Sequence, residues 1–308
     1  MIEAVRNGFR AFVGRYGLAV AVYIAAAMFV WVVLLIVLPQ IAMIDTSFRG
    51  NVPASAVGGP DDGYTLSNYA AFVLGPMGNG NLFDVTILIR TLVAAVAVTL
   101  IDIALCYPVA YMLAHSATGV TARLMVLGLI APFWINEILR AFAFRIIFGS
   151  TGLINEVGQA TGLMDRPFDF ISADVALYSS LAYSYILLMI FPIYNAVEAL
   201  DKNQIEAARD MGAGTLRVHW RIVLPVAKPG IASGATIVFM LTAGALAAPQ
   251  ILGGPSSLWF TQLVYQWFND AGNWPRGAAY ATILLVTCIT FVLLMMKVFR
   301  VPIGAIGR

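Results

Sequence analysis

The sequence predicts an all-α integral membrane protein with six membrane-spanning helices and one long polar loop on its inner face. Three observations lead to this fold class. Of 308 residues, 60% are hydrophobic and only 11% are charged, whereas a soluble domain carries about 25% charged residues. Six apolar segments are long enough to cross a ~30 Å apolar layer, which takes about 20 helical residues. The lysines and arginines concentrate in alternate loops.

The six predicted spans follow one another as a single membrane domain over residues 19–299, between an N-terminal segment (1–18) and a short tail (300–308). The first span is too long for the core of a signal peptide and lacks a clear small-residue cleavage site, so we expect it to be retained. The predicted spans are residues 19–43, 86–114, 122–148, 175–199, 230–250 and 278–299.

The distribution of basic residues predicts the orientation of the chain. Twelve lysines and arginines fall on the face that takes both termini, and three fall on the other face. The twelve are Arg6, Arg10, Arg15, Arg123, Lys202, Arg209, Arg217, Arg221, Lys228, Lys297, Arg300 and Arg308, and the three are Arg49, Arg166 and Arg276. Because positive charge is retained on the cytoplasmic side, both termini are predicted to be cytoplasmic.

The outer loops carry nine acidic residues, which are Asp45, Asp61, Asp62, Asp84, Glu156, Asp165, Asp169, Asp174 and Asp270. Two interpretations stay open: ordinary exclusion of positive charge, or an acidic face that favours cations or a basic partner. The first outer loop, residues 44–85, is rich in glycine, proline and asparagine, and Tyr64–Tyr69 can start a short helix there. Gly230 and Gly234 form a step that allows close helix approach, or are simply scattered glycines.

The loop over residues 200–229 predicts a helix–turn–helix on the inner membrane surface. Ala207 and Ala208 favour helix, and the run Gly212–Gly214 ends it. A second short helix is expected over Thr215–Val223, and the Leu224–Pro225 pair is expected to stop it. Such a lever, seated in a partner, would convert movement of that partner into movement of the membrane helices.

This loop resembles the coupling loop of bacterial ABC-importer permeases. The residues predicted to couple to an ATPase are Glu206, Ala207, Ala208, Asp210, Gly212, Ala213, Ile222, Leu224 and Pro225. The resemblance extends over most of the chain to the first permease subunit of spermidine/putrescine-type importers. It is carried by Pro132–Arg140, Gly152–Asn155, Leu252–Pro255 and Asn273–Ala279.

The resemblance implies a type I ABC importer permease fold in the bacterial inner membrane. It also implies a second homologous permease, two ATPase subunits that dock on residues 200–229, and an extracytoplasmic solute-binding protein. ATP and Mg would be bound by the ATPase subunits, and this chain would hold no cofactor. The substrate would be a polyamine, although the same branch includes importers of other small amines, aminophosphonates, thiamine and iron complexes.

The sequence contains no motif for catalysis, metal binding or nucleotide binding. CxxC, HExxH, GxSxG and the phosphate-binding P-loop are all absent. Cys106 and Cys288 lie inside apolar runs, where a free cysteine packs as a small hydrophobe. The net charge of +2 and the dispersed basic residues do not indicate nucleic-acid binding. We therefore predict no catalytic residues and no metal site.

Charges inside the membrane are costly and mark candidate functional residues. Asp102 lies in the second predicted span, and Glu137 and Arg140 lie in the third. Glu137 and Arg140 are three residues apart, so they either pair locally or contact a cation in the pathway. Glu137 replaces a residue that is usually neutral in the family, and Gln250 stands where polyamine permeases can place an acid. The predicted pathway residues are Trp134, Asn136, Glu137, Arg140, Tyr185, Phe239 and Gln250.

Two other classes of protein remain as alternatives. One is a stand-alone ion-coupled secondary transporter in which Asp102 and Glu137 bind protons or sodium. Inverted repeats with broken helices are typical of that class, and we find none in the sequence. The other is a membrane enzyme, for which no nucleophile–base pair or metal-ligand cluster is visible.

Overall fold

The computed structural model describes residues 13–56, 59, 62–75, 82–115, 119–255 and 257–299. Within those residues the regular elements are all helical, and the only bridge between extended residues joins Arg49 and Tyr64. Five helices are long and apolar enough to cross a membrane, or six when one bent pair counts as a single span. The all-α, six-span prediction is therefore confirmed, whereas the predicted tail 300–308 and most of segment 1–18 lie outside the described residues.

The spans are named here in chain order. They are span one (Leu18–Ser47), span two (Phe83–His115), span three (Gly119–Trp134 followed by Glu137–Ile147), span four (Val175–Glu198), span five (Thr215–Ala243) and span six (Trp274–Phe299). Five shorter α-helices lie between them, over Ser67–Leu74, Leu153–Ala160, Lys202–Asp210, Ala247–Leu252 and Phe260–Asn269. The first of these begins inside the Tyr64–Tyr69 stretch, as the sequence predicts.

Span four forms the centre of the bundle, because it packs against both span two and span five. Two glycines allow the close approach of span five. A Cβ atom on Gly230 would lie 2.2 Å from the carbonyl oxygen of Pro192, and one on Gly234 would lie 2.7 Å from the sulfur of Met189. The Gly230–Gly234 step is therefore a packing device that brings two backbones together.

Span three is not the continuous helix that the sequence predicts over residues 122–148. Its two halves meet at an angle of 96°, because Ile135 adopts an extended conformation between them. The side chain of Asn136 accepts a hydrogen bond from the backbone N–H of Ile138 at 2.8 Å and starts a new helix. An asparagine in this position stabilises a helix start by satisfying a free N–H group.

Span five differs from its prediction at both ends. The helix begins at Thr215 and continues through Pro225, so the predicted stop at the Leu224–Pro225 pair is wrong. A wide π-turn over His219–Val223 precedes the proline, and it relieves the clash of the ring with the carbonyl four residues back. The helix ends at Ala243 rather than at residue 250, and a separate helix follows over Ala247–Leu252.

Candidate functional site

The break in span three presents a carboxylate to span four. Glu137 is the first residue of the second half of span three, and it is half-buried. The hydroxyl of the buried Tyr185 donates a hydrogen bond to Oε1 of Glu137 at 3.3 Å. The same hydroxyl lies 3.5 Å from the carbonyl oxygen of Leu241, near the end of span five. One tyrosine thus links three spans at this level.

Arg140 does not pair with Glu137, although the two are three residues apart. Among the residues the structure describes, the ion pairs do not include this one. The guanidinium of Arg140 is buried and donates to the carbonyl oxygen of Ser184 at 3.4 Å. The local-pair interpretation is therefore wrong, because Arg140 bonds to the backbone of span four instead.

The helix Ala247–Leu252 packs against the second half of span three. The guanidinium of Arg145 donates a hydrogen bond to the carbonyl oxygen of Ile251 and connects the two. Gln250 is exposed on this helix, and Trp134, at the other side of the break, is 84% exposed. The predicted pathway residues on spans three and four and on this helix are therefore carried by elements in mutual contact.

Phe239 is an exception among the predicted pathway residues. Its side chain is 1% exposed and its ring stacks on that of Phe291 in span six, with 3.4 Å between ring centroids. It packs in a cluster with Ala95, Ala243 and Cys288, separate from the core that contains Tyr185. Phe239 therefore packs where spans two, five and six meet, and the structure does not place it beside Glu137.

Two contacts of this site were missed in the sequence. Arg145 also lies within predicted span three, so the rule that selected Glu137 and Arg140 could have selected it too. The carbonyl oxygens of Ser184 and Ile251 carry no signal in the sequence, because any residue type supplies one. Their roles follow only from the packing of span four and of the helix Ala247–Leu252.

Asp102 lies apart from this group, fully buried in span two. Neither carboxyl oxygen has a hydrogen-bond partner in the described part of the chain. Burying a carboxyl group without a hydrogen bond carries an energetic cost. One turn further on, the thiol of Cys106 faces the carbonyl oxygen of Ile186 at 3.6 Å. The described residues contain no cluster of histidine, cysteine, aspartate or glutamate able to hold a metal ion.

The loop over residues 200–229, which is predicted to lie on the inner face, is called the inner loop here. Its first arm is the helix Lys202–Asp210. Asp201 caps it by accepting a hydrogen bond from the backbone N–H of Asn203 at 3.0 Å. Ile205 and Ala208 are buried in the core of the chain itself. The residues that remain exposed on this arm include Glu206, Ala207, Arg209 and Asp210.

The turn of the loop depends on Gly212, which has a φ of 80°. This left-handed conformation is accessible to glycine and strained for most other residues. The backbone N–H of Ala213 bonds to the carbonyl oxygen of Ala208 at 2.9 Å and closes the turn. Nothing lies within 4 Å of a Cβ on Gly212, so backbone conformation rather than space selects this residue.

The second arm of the loop is the beginning of span five and continues into it without a break. Ile222 and Leu224 are half-buried in this arm, and Pro225 is exposed. The outer surface of the loop carries large apolar side chains: Met211 is 83% exposed, Leu216 74% and Trp220 65%. A hollow of about 520 Å³ opens there, lined by Gly212, Gly214, Thr215, Leu216, Arg217 and Trp220.

Several outer acids are already engaged within the chain. Arg49 bridges Asp45 at 2.7 Å and Asp62 at 3.0 Å, and the hydrogen bond to Asp45 raises the pKa of Tyr64. Arg90 pairs with Asp174 at 2.7 Å. These acids hold the outer loops to the bundle, so the acidic character of the outer face is smaller than the sequence alone indicates.

The bundle, its interrupted span three and the helix–turn–helix at the start of span five define the membrane subunit of an ABC importer. The sequence profile of the family described as "Binding-protein-dependent transport system inner membrane component" matches residues 8–300. This chain belongs to that family, and it is a multi-pass inner-membrane transport subunit.

Two relatives and one solved structure illustrate the similarity. The spermidine/putrescine transport system permease protein PotB of Salmonella typhimurium (strain SL1344) is 32% identical over 270 residues, 88% of this chain and 90% of the relative. PotB of Escherichia coli (strain K12) is 33% identical over 256 residues, 83% of this chain and 89% of the relative. The fold matches a crystal structure of a bacterial ABC transporter involved in the import of the acidic polysaccharide alginate, with a TM-score of 0.70, 15% identity, and coverage of 94% of this chain and 97% of that one.

Proposed function

We propose that this chain forms, together with a second homologous permease, the membrane pathway for a polyamine such as spermidine or putrescine. The relatives named for spermidine/putrescine transport support this substrate class. The single observation in the structure that carries it is the Glu137 carboxylate, presented at the break of span three and hydrogen-bonded to Tyr185.

The chemistry of a polyamine suits this position. Its ammonium groups need carboxylates or aromatic faces, and its methylene segments tolerate apolar walls. A carboxylate can accept about four hydrogen bonds, so Glu137 keeps acceptor capacity beyond the one from Tyr185. Trp134 offers an exposed aromatic ring next to the same break. Glu137 would thus bind an ammonium group while Trp134 contacts the chain of the solute.

The inner loop is the proposed docking site for the ATPase subunits. The loop exposes the apolar residues Met211, Leu216 and Trp220 and also the charges of Glu206 and Arg217. An apolar centre with a charged rim is the usual composition of a protein interface. ATP and Mg would be bound on the partner ATPases, and this chain would catalyse no reaction itself.

The outer partner is proposed to be a solute-binding protein. One alginate transporter that shares the fold was solved in complex with a pentasaccharide-bound periplasmic protein. For this chain the same arrangement requires both termini and the inner loop to be cytoplasmic, as the distribution of basic residues predicts. The helices Leu153–Ala160 and Phe260–Asn269 would then lie on the outer side.

One observation favours a second substrate class. Gln250 is an exposed amide on the helix that packs against span three, where a carboxylate would be expected for a fully polyamine-like site. An amide binds a neutral or singly charged solute without demanding a second ammonium group. A less charged small amine is therefore the alternative substrate of the same importer.

The test is stimulation of ATP hydrolysis in the complete complex, reconstituted in lipid with its ATPases, its second permease and its binding protein. Spermidine, putrescine, an aminophosphonate, thiamine and a ferric complex are compared at equal concentrations. We expect spermidine or putrescine to give the largest stimulation. Stimulation by another member of the panel alone would replace the polyamine with that solute, whereas a chain that binds no ATPase would overturn the importer assignment for this complex.

A further inference from the structure

Among the described residues, a single side-chain hydrogen bond joins the inner end of span two to the second arm of the inner loop. The hydroxyl of Tyr107 and Nδ1 of His219 are 2.9 Å apart, although 112 residues separate them in sequence. A neutral imidazole protonated on Nε2 accepts this bond at Nδ1. His219 is the first residue of the π-turn in span five, so the bond reaches the loop where its helix is irregular.

Aromatic rings hold His219 in place around this bond. The ring of Tyr111, one turn beyond Tyr107 on span two, lies 4.5 Å from the ring of His219, and the ring of Tyr107 lies 5.9 Å from it. Both arrangements are T-shaped, a geometry in which the positive ring edge meets the negative face. The imidazole is therefore oriented towards the hydroxyl of Tyr107.

Around this hydrogen bond, span two and the loop arm are not closely packed against each other. A groove of about 410 Å³ separates the inner end of span two from the loop arm, and its lining is Tyr107, Pro108, Tyr111, Leu216, His219, Trp220 and Leu224. Pro108 lies inside the helix of span two, where it removes one backbone hydrogen bond and makes bending easier. A deformable helix end thus meets an irregular loop arm through one hydrogen bond and two ring contacts.

We propose that the Tyr107–His219 hydrogen bond is a strut that transmits movement of the inner loop to span two. Both residues are positioning residues: neither contacts the solute. This inference rests on the proposed docking of ATPases on the loop. Span two packs against span four, which carries Tyr185 and contacts Glu137. The strut therefore connects ATP-driven movement of the loop to the helices that form the pathway, in addition to the direct continuation of the loop into span five.

The test compares the number of solute molecules imported per ATP hydrolysed in the complete reconstituted complex. Tyr107→Phe removes the hydroxyl and keeps the ring, and Tyr111→Phe is the matched control, since its hydroxyl makes no bond to His219 in the described structure. Because one hydrogen bond is worth about a factor of three or more in an equilibrium, we expect this ratio to fall about threefold or more in Tyr107→Phe. Tyr111→Phe should keep the wild-type ratio.

Two variants of His219 separate coupling from folding. His219→Asn keeps a polar group near the position of Nδ1 and should retain most of the ratio, whereas His219→Leu should lose it. The double variant Tyr107→Phe with His219→Leu should lower the coupling ratio no further than the more impaired single variant does, because both substitutions remove the same hydrogen bond. If Tyr107→Phe does not assemble, the two His219 variants decide the question by the same ratio.

The outcomes distinguish the strut from the proposed function. If the wild-type complex lacks bound ATPase or stimulated hydrolysis, the proposed function fails and the strut fails with it. If the wild-type complex transports and both Tyr107→Phe and His219→Leu keep its coupling ratio, the strut alone is wrong. Equal losses in Tyr107→Phe and Tyr111→Phe would also contradict it, because they would indicate aromatic packing rather than the hydrogen bond.

Discussion

The hydroxyl of Tyr185 donates a hydrogen bond to Oε1 of Glu137 at 3.3 Å, across 48 residues of sequence. This bond joins span four to the break in span three. The hydroxyl has one proton and also faces the carbonyl oxygen of Leu241 at 3.5 Å. Because a carboxylate accepts about four hydrogen bonds, an ammonium group bound at Glu137 would share the carboxylate with Tyr185, and solute binding would then act on the contact between three helices.

Gly212 tests the conformation of the coupling turn. We expect Gly212→Ala to strain the turn by roughly 1–2 kcal/mol, the cost of a left-handed conformation for an L-residue. Gly212→Trp adds a large side chain at the proposed interface and should abolish co-purification of the ATPase while the spans still insert.

The matched control for this turn is Gly214→Ala, since Gly214 has a φ of −64° and open space for a Cβ. It should bind the ATPase like the wild type. Gly212→Asn should be milder than Gly212→Ala, because asparagine tolerates the left-handed region. Normal transport by Gly212→Trp with ATPase bound would show that the loop does not dock there.

Gly230 tests the close contact between spans four and five. Gly230→Ala would place a methyl group 2.2 Å from the carbonyl oxygen of Pro192. Overpacking of this kind lowers the free energy of unfolding by roughly 1–3 kcal/mol. We expect a lower thermal unfolding midpoint of the purified chain in detergent. Ser233→Ala on the same helix is the control and should leave the midpoint nearly unchanged; equal midpoints for all three proteins would contradict the packing.

Asp102 distinguishes the importer from an ion-coupled secondary transporter. Because its carboxyl group has no hydrogen-bond partner in the described residues, the position should tolerate Asp102→Asn, which keeps the size and lacks the titratable proton. We expect ATP-dependent uptake within about twofold of the wild type, since an unpaired buried polar group contributes little net stability. Uptake by the wild type that is driven by an imposed proton or sodium gradient without ATP, and that Asp102→Asn abolishes, would support the secondary-transporter alternative instead.

ATP binding should require the partner subunit. The sequence contains no glycine-rich phosphate loop, so the purified chain alone should not bind a labelled ATP analogue. The complete complex, measured in the same lipid, should bind it saturably. Saturable binding by the chain alone would overturn the proposed division of labour between membrane and ATPase subunits.

The sequence predicts the helices more reliably than their interruptions. Hydrophobic length identifies all six spans, because burying helical backbone in lipid demands about 20 apolar residues whatever the packing. It does not reveal the break at Ile135, since the apolar run continues through it and the bend is made by the extended backbone of Ile135 and the helix cap by Asn136. It also misplaces the start of span five, where the π-turn accommodates Pro225.

For the candidate site, too, the sequence predicts some features and not others. Charge within the membrane draws attention to Glu137 and Arg140, but their partners are Tyr185 and a backbone carbonyl rather than each other. Sequence spacing gives distances along one helix only, whereas these partners come from span four. Phe239 was selected for its aromatic ring, and packing against Phe291 determines where that ring lies.

The central claim is that this chain carries a cationic solute past Glu137 in an ATP-driven importer. The most direct measurement is ATP-dependent uptake of labelled spermidine into proteoliposomes that contain the complete complex, with wild type compared to Glu137→Gln. The control is Glu156→Gln, an exposed outer acid on the helix Leu153–Ala160. We predict that Glu137→Gln lowers uptake about tenfold or more, as expected for a lost charged hydrogen bond, while assembly and basal ATP hydrolysis stay unchanged. Spermidine uptake equal to the wild type in Glu137→Gln would contradict the claim.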